Sequence, residues 1–202
     1  MFKALRKNMK KIMWLLVAAF VLWMISSAIV ERRSGPQYAG KIRGRVITWE
    51  EFSRAHDAVR HQLTLAYGDK ARDVAQSVNL EQEAWARIIL LDEAKRQQIK
   101  VQDKEVIDLI SRIPYFQQDG KFDNKLYGLA INYNLGITPR AFEEEMRQNI
   151  AISKLLDKVR GEVKPDEKTP LSELQAKHVN EWFNSLKEKS HLESYVKMSN
   201  DK

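Results

Sequence analysis

Nineteen consecutive uncharged residues, Ile12 to Val30 (IMWLLVAAFVLWMISSAIV), constrain this chain more than any other feature. At 1.5 Å per residue they make roughly 28 Å of helix, close to the ~30 Å hydrocarbon core of a bilayer. Ser26 and Ser27 can bond back to their own helix, and Trp14 and Trp23 are suited to the membrane interface. Five cations (Lys3, Arg6, Lys7, Lys10 and Lys11) and no acid precede the run, while Glu31, Arg32 and Arg33 follow it. The positive-inside bias then predicts a single-pass anchor in the inner membrane. Residues 1–11 form a basic cytoplasmic tail and residues 31–202 lie on the extracytoplasmic side. Two other readings remain. Ser26-Ser27-Ala28 would serve as the cleavage site of a signal peptide with an overlong apolar region, and the run would also suit a buried helix.

The charge balance follows from the same feature. The chain has 34 Lys and Arg against 27 Asp and Glu, a net +7. Removing the five N-terminal cations leaves 29 against 27. A nucleic-acid footprint would concentrate cations on the folded part, so no nucleic-acid partner is expected and the bilayer is. The absence of cysteine excludes disulfides, thiolate metal sites and a cysteine nucleophile.

Behind a linker at 31–40, Gly44 sits between Ile42 and Val46, as in two very short strands about a turn. Thr48 and Glu51 form a T-x-x-E capping box for a helix carrying Phe52, Ala55, Val59 and Leu63, with Gly68 at its C-terminal end. A second helix spans about Leu80 to Gln97 with Trp85, Ile88, Ile89, Leu91 and Ala94 inward. A third follows Asp103 with Val106, Ile107 and Ile110 inward and stops at Ile113-Pro114. Tyr115–Asp123 reads as a loop turning at Asp119-Gly120, followed by a helix that ends near Gly136. Thr138 and Pro139 cap a long helix bearing Phe142, Met146, Ile150, Leu155 and Val159. Glu143, Glu144 and Glu145 are read as complementing the dipole at its first turn.

A polar linker at 161–170 leads to a last amphipathic helix at 171–192 and a tail at 193–202. Leu174, Trp182, Phe183 and Leu186 make that helix too apolar to stand free, so it is expected to close the domain formed by 41–160. The fold class is mostly α: one transmembrane helix, then a multi-helix domain closed by the C-terminal helix.

The residues offer little chemistry. His56 and His61 are five apart, off the i, i+4 geometry of a helical metal pair, and Asp119-Gly120 with Asp123 lacks the ligand pattern of a calcium loop. No phosphate-cradling glycine loop and no G-x-S-x-G or H-E-x-x-H motif is present. No catalytic, cofactor or metal residues are assigned. Tyr115, Phe116, Phe122, Tyr127 and Tyr133 crowd around the loop and are either core or an apolar contact surface.

The order of segments resembles a known family. After the anchor come Y-A-G-K-I-R-G-R-V-I-T-W-E-E-F and A-W-A-R-I-I-L-L-D-E-A-K-R-Q-Q-I-K-V-Q-D-K-E-V, then I-P-Y-F-Q-Q-D-G-K-F-D and G-I-T-P-R-A-F-E-E-E-M-R. Together they are similar to the N-terminal chaperone domain of the SurA-like and PpiD-like periplasmic foldases, the membrane-anchored type. Phe116–Asp123 and Thr138–Glu143 carry the most specific likeness, which covers about residues 1–165. Such proteins usually add a parvulin prolyl isomerase domain, for which the linker at 161–170 has no room. The resemblance therefore implies an extracytoplasmic chaperone without catalysis, with the closing helix packed on the N-terminal domain.

The leading expectation is a membrane-tethered, ATP-independent holdase for unfolded exported proteins, near the secretion translocon. The five loop aromatics are its candidate client contacts. The alternative is a scaffolding subunit that docks one fixed membrane partner with the same domain.

Overall fold

In the computed structural model the described residues are 37–165 and 169–196. The expected anchor, the basic residues before it and the interfacial tryptophans lie outside them. Among the described residues no helix is long and apolar enough to cross a membrane.

A hairpin opens the structure. Strand β1 (Gly40–Ile42) pairs antiparallel with β2 (Arg45–Ile47), Gly40 opposite Ile47 and Ile42 opposite Arg45. Arg43 and Gly44 both have positive φ, 50° and 79°, the pattern of the tight turns that match strand twist. Alternation buries Ile42 and Ile47 and leaves Val46 outside. A third strand, β5 (Glu193–Ser194), pairs antiparallel with the other edge of β1. The sheet order is β2-β1-β5, so residues read from sequence as the start of a tail join the first strand of the unit. Gly40 permits this. A Cβ there would collide with the Glu193 carbonyl and lie 2.8 Å from the Trp85 ring.

Helix α1 (Trp49–Tyr67) is capped by Thr48, whose Oγ1 accepts from the Glu51 N–H at 3.1 Å. The Glu51 carboxylate takes Arg45 at 2.9 Å. A short helix α2 (Ala71–Ser77), unassigned by the sequence reading, folds back on the end of α1. Helix α3 (Leu80–Arg96) starts at Asn79, whose Oδ1 accepts from the Gln82 N–H, and buries Trp85, Ile88, Ile89 and Ala94. Helix α4 (Asp103–Ser111) begins with Glu105 accepting from the Gln102 N–H at 2.8 Å. It buries Val106 and Ile110, but Ile107 is 66% exposed. The expectation of an inward Ile107 fails because one residue is 100° of helical rotation, enough to leave a stripe set by i, i+4.

After Ile113, Pro114–Phe116 makes a single tight turn. Strands β3 (Gln117–Gln118) and β4 (Lys121–Phe122) follow as a minimal hairpin around Asp119 and Gly120 (φ 53° and 74°). Helix α5 (Asn124–Leu129) runs into a wider π turn, Ala130–Leu135, which stops at left-handed Gly136. Helix α6 (Pro139–Gly161) starts from the Thr138 cap with proline at its first position. That register puts Glu143–Glu145 beyond the first turn, so the expected dipole role does not apply to them. Helix α7 (Leu171–Ser190) completes the fold, ending at left-handed His191.

Two apolar cores result among the described residues. The first gathers Ile42, Ile47, Phe52, Trp85 and Ile89 with Leu186 of α7, and Trp182 and Phe183 pack half-buried against it. Leu174, at the other end of α7, is half-buried outside that cluster. The second gathers Val106, Ile110, Phe116, Ile131, Phe142 and Met146. Helix α6 contacts α3, α4 and α7, so it ties the parts together.

Candidate functional site

The loop aromatics divide by their packing. Phe116 is 0% exposed and stands edge-on to Tyr127 (5.2 Å) and Phe142 (5.5 Å). Its candidacy as a client contact is therefore corrected: the ring is a core pin, held from the chain side by the Asp123 N–H donating to its carbonyl at 2.8 Å. Asp123 in turn caps α5, its Oδ1 accepting from Lys125 and Leu126. Much of the F-Q-Q-D-G-K-F-D segment thus serves the fold. Tyr115, Phe122 and Tyr133 are exposed, Tyr133 to 79%. The Tyr115 hydroxyl accepts from Asn134 at 2.8 Å. Tyr127 is half-buried, its hydroxyl has no hydrogen-bond partner among the described residues, and burial, then the nearby Glu143 charge, pushes its pKa above the usual phenol value.

Helix α4 separates two open grooves. The smaller, about 470 Å³, lies between α4 and the start of α6 and is lined by Ile107, Ile110, Phe122 and Tyr127. Asp103, Glu143 and Arg147 supply its charges. The larger, about 740 Å³, is bounded by the C-terminal half of α1, by α4 and by α6. Leu65, Leu109, Ile113, Ile150 and Leu156 give it an apolar wall, with exposed Ala66 at its edge. This is the geometry of a surface that takes apolar side chains reversibly: concave, open, and rimmed by Glu105, Lys154 and Arg160.

A polar seam runs beside the larger groove. Arg87 of α3 is only 6% exposed, and its guanidinium donates to the Asn149 side-chain oxygen, to Gln148 Oε1 at 3.1 Å and to the Glu145 carbonyl at 3.3 Å. Burial lowers its pKa from the usual arginine value, opposed by the charge of Glu145. The Glu145 carboxylate itself is engaged by His61 Nδ1 of α1 at 3.0 Å. His61, whose spacing from His56 excluded a helical metal pair, is thus part of the joint between α1 and α6. No group of three potential metal ligands occurs among the described residues.

Sequence reasoning singled out the smaller groove's aromatics and missed the larger groove, because its walls come from three distant segments. One signal was available: an arginine inside the apolar W-A-R-I-I run of α3.

Comparison with known proteins agrees with the fold's helical character. The family described as SurA-like N-terminal domain matches residues 1–156. Two curated relatives are both described as periplasmic chaperone PpiD, from Escherichia coli strain K12 and Escherichia coli O6:H1 strain CFT073. Each is 27% identical over 161 residues, covering 76% of this chain and 25% of the relative. The chain thus spans about a quarter of the length of these relatives. No solved structure matches it.

Proposed function

This chain belongs to the SurA-like N-terminal domain family, and on that premise we propose that it is an extracytoplasmic holdase, tethered to the inner membrane through residues 12–30. It binds unfolded segments of exported proteins near the secretion translocon and releases them without ATP. The observation that carries the reading is the pair of open apolar grooves flanking α4, one of about 740 Å³ and one of about 470 Å³. The description of the relatives as periplasmic chaperones supports it.

The mechanism follows from the surface. Each apolar client side chain removed from water gains about 25 cal/mol per Å² of area covered, against the entropy of ordering an unfolded segment. The balance favours weak, reversible capture, and the client's own folding withdraws it from the grooves by mass action. A tether raises the local concentration of grooves where exported chains emerge. On this reading the described domain performs no catalysis, and the exposed side chains of Phe122, Tyr115 and Tyr133 are auxiliary contacts.

The test is suppression of aggregation of a denatured exported protein, without nucleotide, by the full chain in detergent. Ala66→Trp, an exposed substitution that fills the larger groove, should weaken suppression while leaving the melting temperature unchanged. Suppression equal to wild type would remove that groove from the mechanism, and failure of the wild-type chain to suppress would refute the holdase reading.

A further inference from the structure

Of the cations lining the larger groove, Lys154 has Glu105 at 2.6 Å and Arg160 has Asp157 at 2.7 Å. Arg87 differs. It lines the same groove, is 94% buried by the measure of its 6% exposure, and forms no salt bridge with a carboxylate among the described residues. Its hydrogen bonds go to uncharged oxygens, and its Nε–H has no partner among the described residues. The Glu145 charge is near enough to act on Arg87, but its carboxylate is bonded to His61 and not to the guanidinium. A buried cation with no carboxylate bonded to it is an expensive arrangement, and apolar surroundings strengthen its attraction for any anion that reaches it.

The geometry points to a substrate preference: the larger groove takes apolar segments that carry a carboxylate side chain, and the carboxylate sets against the Arg87 guanidinium while flanking apolar side chains lie on Leu65, Leu109, Ile150 and Leu156. This deepens the holdase reading and rests on it. The bonds to Gln148 and Asn149 fix the guanidinium plane, so the preference is for an acceptor at one position in the segment, not for general acidity. The smaller groove, with Asp103, Glu143 and Arg147, has no such surplus of positive charge.

The experiment measures binding of the full chain in detergent to a fluorescent twelve-residue apolar peptide with Glu, Gln or Lys at its centre. The Glu peptide should bind about tenfold more tightly than the Gln peptide, as a charge-assisted hydrogen bond implies, and the Lys peptide most weakly. Arg87→Met should bring the Glu-to-Gln ratio to about one, whatever it does to the affinity common to both peptides. A photoreactive group beside the Glu should label α4 and α6 within the larger groove, a readout that does not depend on any variant folding. Equal binding of Glu and Gln peptides by the wild-type chain, or labelling elsewhere, overturns the preference while leaving the holdase reading standing. Failure of all three peptides to bind overturns both.

Discussion

Replacing Gly40 by alanine puts the account of the closed sheet at risk with a single methyl group. The added carbon would fall against the Glu193 carbonyl and 2.8 Å from the Trp85 ring. Gly40 pairs with Ile47 on one side and Ser194 on the other, so β1 has little room to slide away. Overpacking of this kind costs about 1–3 kcal/mol, offset by roughly 0.4–1 kcal/mol because alanine restricts the unfolded chain. Where β5 peels off instead, the hydrogen bond from the Tyr195 N–H to Ala39, 2.9 Å long, is lost with it. Each kcal/mol shifts the midpoint of a unit this size by about 2–4 °C, so a drop of several degrees is expected. The assay is a thermal melt followed by circular dichroism, with hydrogen exchange read at the Tyr195 amide. Gly128→Ala is the control, since a Cβ there meets nothing within 4 Å. Within α5 it should stabilise by about 0.5–1 kcal/mol. A Gly40→Ala chain that melts at or above the wild-type temperature with Tyr195 protection unchanged would refute the reasoning.

Other expectations concern the core, the acid limb and the closing helix. Phe116→Ala should destabilise by about 3–5 kcal/mol, since its ring is buried among Tyr127 and Phe142; a small change in the denaturation midpoint would return Phe116 to the surface. Burial tends to raise the Glu93 carboxyl, but hydrogen bonds from Gln97 and Arg43 outweigh it and hold its pKa below the ordinary 4.5. A depressed folded value means stability present above 4.5 and lost as pH falls through the folded pKa. Melts of wild type and Glu93→Gln should therefore differ at neutral pH and converge in acid, and a constant gap would contradict this. Truncation after Lys168 removes buried Leu186 with half-buried Trp182 and Phe183, so the remaining chain should melt lower or aggregate. An unchanged melt would make α7 a separate arm.

Local rules carried much of the fold. Thr48, Thr138 and Pro139 marked helix starts through groups that act on their own backbone neighbours, and Gly68 and Gly136 adopt the positive φ that ends helices. The long α3 and α6 stripes were readable because many apolar residues agree on one face. Short elements were not. Ile107 and Val106 are adjacent in a nine-residue helix, where a small error in phase moves one of them into water. The pairing of β1 with β5 depends on partners about 150 residues apart, Gly40 and Ser194, and nothing in a two-residue strand announces such a partner. The larger groove is also a tertiary product, its Leu65, Leu109 and Ile150 each resembling ordinary core positions in their own segments. Phe116 illustrates the converse problem: clustered aromatics pack on one another as readily as they face solvent, and only the fold decides which.

The most direct measurement places a photoreactive amino acid at Ala66, on the edge of the larger groove, and irradiates cells while proteins are being exported. The account predicts a spread of crosslinked products of many sizes, composed of incompletely folded exported chains. The same probe at exposed Arg54, outside the groove, should give little. One discrete product of fixed mass at Ala66, or equal labelling from both positions, would contradict the account.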